Sequence, residues 1–208
     1  IVVRLVGSEM CIRDSGKPLY QRLVLDQGFY PKGIWTAPSD KELKNDIILS
    51  MKVGFNGARL HEKVFEDRFH YWADKLGYIT WSEFPNWGMN ENAKASETYF
   101  LREWPRIVNY LKNHPSIITW TPFNETNTLE CNAQHKKLMR IAYDVTKKID
   151  PTRPVNETSG YQHQKTDIWT VHHYEPLHNL LKEALNPKKG VYRNFPHFET
   201  SYKNQPYI

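Results

Sequence analysis

Apolar positions along this chain follow two rhythms in turn. Short runs dominated by β-formers are followed by longer stretches whose apolar residues recur three and four apart. The first short run covers 19–25, introduced by Gly16 and Pro18 and closed by Asp26, Gln27 and Gly28. A loop rich in Gly, Pro and Trp leads on to 38. Ser39 with Glu42 forms a capping box. It opens a helix whose stripe is Leu43, Ile47 and Met51, and Gly54 stops it. A second strand is expected over 55–60, ending near Arg59 and His61. A second helix covers 67–76 and stops at Gly77. The third strand covers 78–81 and ends at Glu83. The third helix runs from about 96 to 111, with Phe100, Trp104, Ile107, Val108 and Leu111 on one face. Pro105 inside it predicts a kink or a restart, because proline removes one backbone donor. The fourth strand covers 116–123 and leaves Asn124 and Glu125 at its C-terminal end. A fourth helix buries Leu138, Ile141, Ala142, Val145 and Ile149 and ends at Asp150–Pro151. Residues 154–156 and 167–171 read as strands, 177–185 as a helix, and 205–208 as the opening of a seventh strand.

Strands alternating with helices argue for a parallel sheet with helices outside it. A doubly wound sheet would carry a glycine-rich phosphate turn after its first strand. Asp26-Gln27-Gly28-Phe29 is no such turn. A closed barrel instead carries polar residues at the C-terminal ends of many strands. Here those ends hold Asp26, Arg59 with His61, Glu83, Asn124 with Glu125, Asn156 with Glu157, and His172 to Tyr174. The expected fold is an incomplete (β/α)₈ TIM barrel carrying strands one to six and the start of the seventh. The chain has 208 residues; a whole barrel needs about 250.

Composition is that of an ordinary globular domain, with 39% hydrophobic and 25% charged residues. A net charge of +5 is spread along the chain rather than gathered in blocks, so no nucleic-acid partner is expected. No apolar run approaches the ~20 residues of a membrane span, and no membrane association or clean signal peptide is read. Cys11 and Cys131 make no disulfide framework. Compartment and oligomeric state stay open. Residues 1–15 have neither period, and they resemble the peptide obtained when a sequencing adapter is translated. The expected division is therefore a non-native lead over 1–15 and a single barrel domain over 16–208. Aromatics reach 13%, with seven Trp and twelve Tyr. Most fill the core, and a surplus of flat rings with polar tips also suits a sugar site.

The sharpest chemical signal is Thr119-Trp120-Thr121-Pro122-Phe123-Asn124-Glu125, a buried strand that ends in a polar pair. Cleaving a glycosidic bond takes two carboxyl groups flanking it, one of them held protonated to donate to the leaving oxygen. A Glu among apolar and aromatic groups at a barrel mouth meets that need. Glu125 could equally be a plain acid at a helix start. His172 and His173 with His61 raise a metal-dependent hydrolase, but adjacent strand residues point to opposite faces, so no metal site is expected. Asn124-Glu125-Thr126 and Asn156-Glu157-Thr158 match the glycosylation sequon and read as chance matches.

The 119–125 run resembles the fourth-strand motif of glycoside hydrolase family two. So do Leu25-Asp26-Gln27-Gly28-Phe29-Tyr30, Thr36-Ala37-Pro38-Ser39-Asp40, Gly54-Phe55-Asn56-Gly57-Ala58-Arg59-Leu60-His61 and Tyr71-Trp72-Ala73-Asp74-Lys75-Leu76-Gly77. Asn113-His114-Pro115-Ser116-Ile117 and Asp150-Pro151-Thr152-Arg153-Pro154 continue the likeness in the family's order. The resemblance covers 16–208. It implies a retaining exo-β-glycosidase acting on a carbohydrate without an organic cofactor. β-Galactosidase is the leading activity, with β-glucuronidase and β-mannosidase as alternatives. A glycan-binding barrel without catalysis is the reading from another class.

The resemblance also implies roles. Glu125 would be the general acid and then the base. Asn124 would hold the sugar 2-hydroxyl. Tyr174 would hydrogen-bond the nucleophile, and Arg59 would lie beneath it. Asp26, His61, Glu83, Trp87 and His173 would line the pocket. The family's nucleophile follows a "QPYxxSEYGG" strand, and the chain ends Gln205-Pro206-Tyr207-Ile208. The nucleophile is therefore expected just beyond Ile208. Glu199 is the competing candidate, although it lies in the loop before the seventh strand, where acids are usually solvated. An open barrel exposes two unpaired edges, so the 208-residue chain by itself is expected to be inactive.

Overall fold

The computed structural model of the chain describes residues 13–14, 17–126, 132–194, 196 and 199–208. Cys11, Cys131 and most of the 1–15 lead lie outside the described residues.

After a short antiparallel pairing of Arg13–Asp14 with Lys17–Pro18, strands and helices alternate. They are β1 (Leu23–Asp26), α1 (Asp40–Lys52), β2 (Gly57–Leu60), α2 (Asp67–Leu76), β3 (Ile79–Glu83), α3 (Lys94–Leu111) and β4 (Ile117–Thr121). The four strands pair in parallel in chain order. A doubly wound sheet reverses its strand order at a switch point, whereas unreversed order is that of a barrel wall. Pro122 has no N–H to give, and the ladder breaks there. It resumes as β5 (Phe123–Asn124), which pairs in parallel with β6 (Thr158–Ser159) after α4 (Ala133–Ile149). The expected fifth, sixth and seventh strands appear as brief parallel contacts. Val155 bridges Trp120 and Trp169 bridges Tyr207. Asp167 N–H donates to the Val155 carbonyl at 2.9 Å, and Val171 N–H to that of Ile208 at 3.0 Å. α5 (His178–Ala184) lies between, with no buried residue.

Several boundaries differ from the expectation, for local reasons. β1 starts at Leu23 rather than at 19. Asn56 intervenes: its Oδ1 accepts from Arg22 N–H at 2.8 Å and its Nδ2 donates to the Tyr20 carbonyl at 2.8 Å. In α1, Ser39 caps the Glu42 amide, and Leu43 and Ile47 are buried. Met51 is 40% exposed. Steps of four drift about 40° each around a helix of 3.6 residues per turn, and two such steps turn Met51 off the face. α3 runs through Pro105 without restarting. The carbonyl that Pro105 leaves without its helical donor belongs to Leu101, on the exposed side. α4 buries His135, Met139 and Thr146 with Leu138 and Ala142, while Ile141, Val145 and Ile149 are half-buried. The face is turned because Trp104 Nε1 donates to Thr146 Oγ1 at 2.7 Å.

The core lies between strands and helices. One part packs Leu43, Ile47, Phe69 and Ala73 on Ala58 and Leu60. The other packs Phe100, Trp104 and Leu138 on Trp120 and Phe123. The Asp150-to-Pro154 motif is a brace for that second part. Asp150 accepts from Trp120 Nε1 at 2.8 Å and Arg153 at 2.6 Å. Arg153 also donates to the carbonyls of Lys112 and His114, at 2.9 and 3.0 Å. It thereby ties the end of α3 to the start of β4. Among the described residues no helix is long and apolar enough to cross a membrane.

Candidate active site

Strand alternation decides which residues face inward. Leu25, Arg59, Trp81 and Thr119 stand opposite one another in register on β1 to β4. Leu25, Arg59 and Trp81 line an interior cavity of 310 Å³, and Ile208 closes it on the far side. Above it, at the C-terminal ends of the strands, opens a second cavity of 460 Å³. Its walls are Leu25, Gln27, Arg59, His61, Trp87, Glu125, Val171, His172, His173 and Tyr174.

Glu125 follows β5 directly. Its backbone sits in the left-handed region, φ 42°, a conformation that costs a non-glycine residue about 1–3 kcal/mol. Its N–H is held by the Ser159 carbonyl at 3.0 Å. One carboxylate oxygen accepts from the Tyr174 hydroxyl and from His172 Nδ1, the latter at 2.5 Å. His172 Nε2 faces the Arg59 guanidinium at 3.1 Å and the Ser159 hydroxyl at 3.1 Å. Arg59 can only donate, so Nε2 accepts and the ring proton sits on Nδ1, aimed at Glu125. Burial lowers the His172 pKa, the hydrogen bond to Glu125 raises it and the Arg59 charge lowers it; the net shift is downward.

The same contacts set the state of Glu125. Burial pushes its carboxyl up, but the hydrogen bonds from Tyr174 and His172 and the charge of Arg59 outweigh burial and leave it below the usual range. The expectation that aromatic surroundings hold Glu125 protonated is therefore not met in this arrangement. The Tyr174 hydroxyl donates to Glu125. In the full-length protein, Tyr174→Phe should raise the pKa of the Glu125 carboxyl, read by NMR titration of its side-chain carbon, because it removes a contact that favours the ionised form. A pKa that stays in place or moves down would show that the contact does not set it.

Arg59 is the hub beneath. It donates to Glu83 and to Asn124 Oδ1 as well as facing His172. Glu83 is wholly buried and its second oxygen takes the Glu62 amide at 3.2 Å. It holds Arg59 and does not line the pocket. Asn124 is likewise buried, its N–H on Asn86 Oδ1 at 2.7 Å and its Nδ2 without a partner. Asp26 also misses the pocket. Leu25 and Arg59 point inward, so Asp26 and Leu60 point to the helices. The Asp26 carboxyl takes the Gly28 amide at 2.8 Å, and burial, then the charge of Asp46, push it up to about 6. His61, Trp87 and His173 do line the pocket. Burial and then Arg59 bring the His61 pKa down to about 4, so the ring is neutral. Gln27 Nε2 donates to its Nδ1 at 2.8 Å, which leaves the proton on Nε2.

Sequence reasoning missed His172 and Glu62 as site residues. His172 and Tyr174, two apart, share a face and both reach Glu125, while the His173 ring leans on Tyr192. The period of two applied to 172–174 would have paired them. Glu62 was hidden behind His61. Its Oε2 accepts the amides of Asn86 and Trp87 at 2.8 and 2.9 Å. Glu157 is a brace instead of a site residue, buried on His163 Nδ1 at 3.1 Å and the Lys165 amide at 3.0 Å. Glu199 is not solvated either: Arg193 holds it at 2.8 Å and its side chain is 1% exposed, away from the cavity. The sequon asparagines Asn124 and Asn156 are fully buried.

Among the described residues His61, Glu62 and Glu83 bring ligand atoms within 4.8 Å of one another and could hold a cation. Arg59 already balances Glu83 there. His172 and His173 diverge and do not join them.

The model of the family described as glycosyl hydrolases family 2, TIM barrel domain, matches residues 37–208. The chain belongs to this family. It is 26% identical over 189 residues to a β-galactosidase of Vibrio vulnificus (strain YJ016), an alignment that covers 87% of the chain and 18% of that protein. It is 27% identical over 158 residues to a β-glucuronidase of Sus scrofa, covering 73% of the chain and 23% of that protein. The chain thus spans about a fifth of the length of these family 2 relatives. Among solved structures, the β-D-glucuronidase of Dictyoglomus thermophilum superposes with a TM-score of 0.73 over 92% of the chain and 36% of its own, at 17% identity. The likeness fixes the family 2 chain as part of a TIM barrel.

Proposed function

We propose that the chain is the core of the catalytic barrel of a retaining exo-β-glycosidase, with β-galactosides as substrates and Glu125 as acid/base. What supports this reading is the surroundings of Glu125 in a chain of family 2: it stands at a strand end, in an open pocket, with Tyr174 and His172 on its carboxylate and Arg59 behind His172. In the arrangement seen, Glu125 is a carboxylate, the form that activates water in the second step. Proton donation in the first step needs Glu125 protonated on Oε2, a form in which Oε1 can still accept from Tyr174 and His172. The nucleophile is proposed just beyond Ile208. Tyr207 and Trp169 are already paired in parallel, with Ile208 N–H on the Trp169 carbonyl at 2.9 Å, and residues continuing that strand lead towards the end of the sheet where Glu125 stands. Two carboxyls about 5–5.5 Å apart would give retention through a glycosyl-enzyme intermediate. The Asn124 amide, with Nδ2 unpaired, is proposed for the 2-hydroxyl.

Aryl β-galactoside, β-glucuronide and β-mannoside should be offered to the full-length protein, with the first-formed anomer read by NMR. The galactoside is expected to react fastest and to yield the β-anomer first. Initial α-anomer would exclude the covalent route, and a faster glucuronide would replace the proposed sugar.

A further inference from the structure

Three successive residues, Ser159, Gly160 and Tyr161, each touch Glu125 or His172. The Ser159 carbonyl accepts the Glu125 N–H at 3.0 Å, and its hydroxyl faces His172 Nε2 at 3.1 Å. Gly160 lies close against the His172 ring, where a β-carbon would fall 2.6 Å from it. The Gly160 N–H donates to Thr170 Oγ1 at 2.8 Å. The Tyr161 ring meets that of His172 edge-on, with centroids 6.0 Å apart. Its hydroxyl donates to the Glu125 carboxylate and stands beside that of Tyr174.

The turn that carries Tyr161 is fixed on all sides. Gly160 and Tyr161 have positive φ, 71° and 40°, a region that glycine takes freely and tyrosine rarely. Such backbone persists where its surroundings over-determine it, and it gathers at functional sites. The flanking residues 154–160 and 162–164 are buried. Glu157 closes the turn at its base, on His163 Nδ1 at 3.1 Å and the Lys165 amide at 3.0 Å. Thr170 Oγ1, which holds Gly160, donates in turn to Asn156 Oδ1 at 3.2 Å. Tyr174, by contrast, is 74% exposed.

The last torsion of a glutamate is broad, so a carboxyl held by one loop can still swing about it. Here a second, rigid loop holds the same carboxyl. We propose that Tyr161 is a positioning residue for the acid/base, its hydroxyl fixing the direction in which the Glu125 carboxyl faces the glycosidic bond. The proposal rests on the reading of Glu125 as acid/base. A hydroxyl suits both steps of that role, because it donates to the carboxylate and can accept from the protonated carboxyl, whereas His172 Nδ1 only donates. Burial and then the Glu125 charge push the Tyr161 hydroxyl up, so it keeps its proton.

The test is Tyr161→Phe in the full-length protein, which keeps the ring against His172 and removes only the hydroxyl. NMR titration of the Glu125 side-chain carbon should show its pKa raised, because a donor to the ionised form is gone. An unmoved or lowered pKa would overturn the contact. Each protein, at its own pH optimum, is then offered two substrates. For methyl β-galactoside, whose leaving oxygen needs a proton, kcat/KM should fall about tenfold, the worth of a hydrogen bond to a charged group. For a dinitrophenyl β-galactoside, whose leaving group departs unaided, it should stay within about twofold. Equal losses on both substrates, or none on the methyl glycoside, would overturn the positioning role. Near-normal hydrolysis of methyl β-galactoside by Glu125→Gln would instead sink the acid/base reading, while a raised Glu125 pKa in Tyr161→Phe would still place the hydroxyl on that carboxyl.

Discussion

Glu125→Gln in the full-length protein should lower kcat/KM for methyl β-galactoside by about 10³-fold, within the 10²–10⁴ that a positioned acid/base supplies. The amide keeps the size of the carboxylate and can still accept from Tyr174 and His172, so the pocket is expected to stay assembled. What it loses is the proton for the leaving oxygen and the base for the incoming water. Leaving-group dependence separates the two losses. A dinitrophenyl β-galactoside needs no protonation to depart, so its first step should be nearly normal and the glycosyl-enzyme should accumulate. Added azide attacks without a base, and it should speed turnover and give the β-galactosyl azide. Equal damage to both substrates with no response to azide would contradict the acid/base role. Near-normal activity on methyl β-galactoside would move the chemistry to another residue altogether.

Arg59→Met should destabilise the barrel by about 3–5 kcal/mol, the cost of leaving a buried charge without its partner. The Glu83 side chain is fully buried, and that of Arg59 is 14% exposed. Without the guanidinium Glu83 keeps only the Glu62 amide, and Asn124 Oδ1 and His172 Nε2 lose a donor each. The effect is best read as a drop in the melting transition of the full-length protein. Adding Glu83→Leu to Arg59→Met removes the stranded charge and should restore most of the loss, because replacing a whole buried pair by apolar groups is close to neutral. A double variant no more stable than the single one would show that the ion pair is not the source of the effect. Activity should stay low in both, since Asn124 and His172 remain without Arg59.

The order of elements was legible because each rested on local rules. The Ser39 cap, the Gly77 left-handed stop at φ 68° and the stripe of Phe100, Trp104 and Val108 need only neighbouring residues to be understood. The unreversed parallel order followed from the alternation and the lack of a phosphate turn. Glu125, Tyr174, Arg59, His61, Trp87 and His173 fall around one pocket or its floor because each stands at the C-terminal end of a strand, and a barrel gathers those ends.

Roles were less legible than positions. Asp26 and Glu83 look alike in the sequence, each an acid closing a strand. One faces the helices and the other lies under Arg59, and only the pleat and its register separate them. Glu199 could be read as a solvated loop acid until Arg193, six residues away, proved to hold it buried.

By itself, then, the sequence determined the alternating elements, the barrel and the strand-end residues, because caps, stripes and period act over a few residues. Tertiary structure decided which of those residues meet. His172 lies 47 residues from Glu125 and Arg59 lies 65 from Asn124. Charge, burial and hydrogen bonding at such contacts depend on how whole strands register, and with them the protonation of Glu125 and the shape of the pocket beside it.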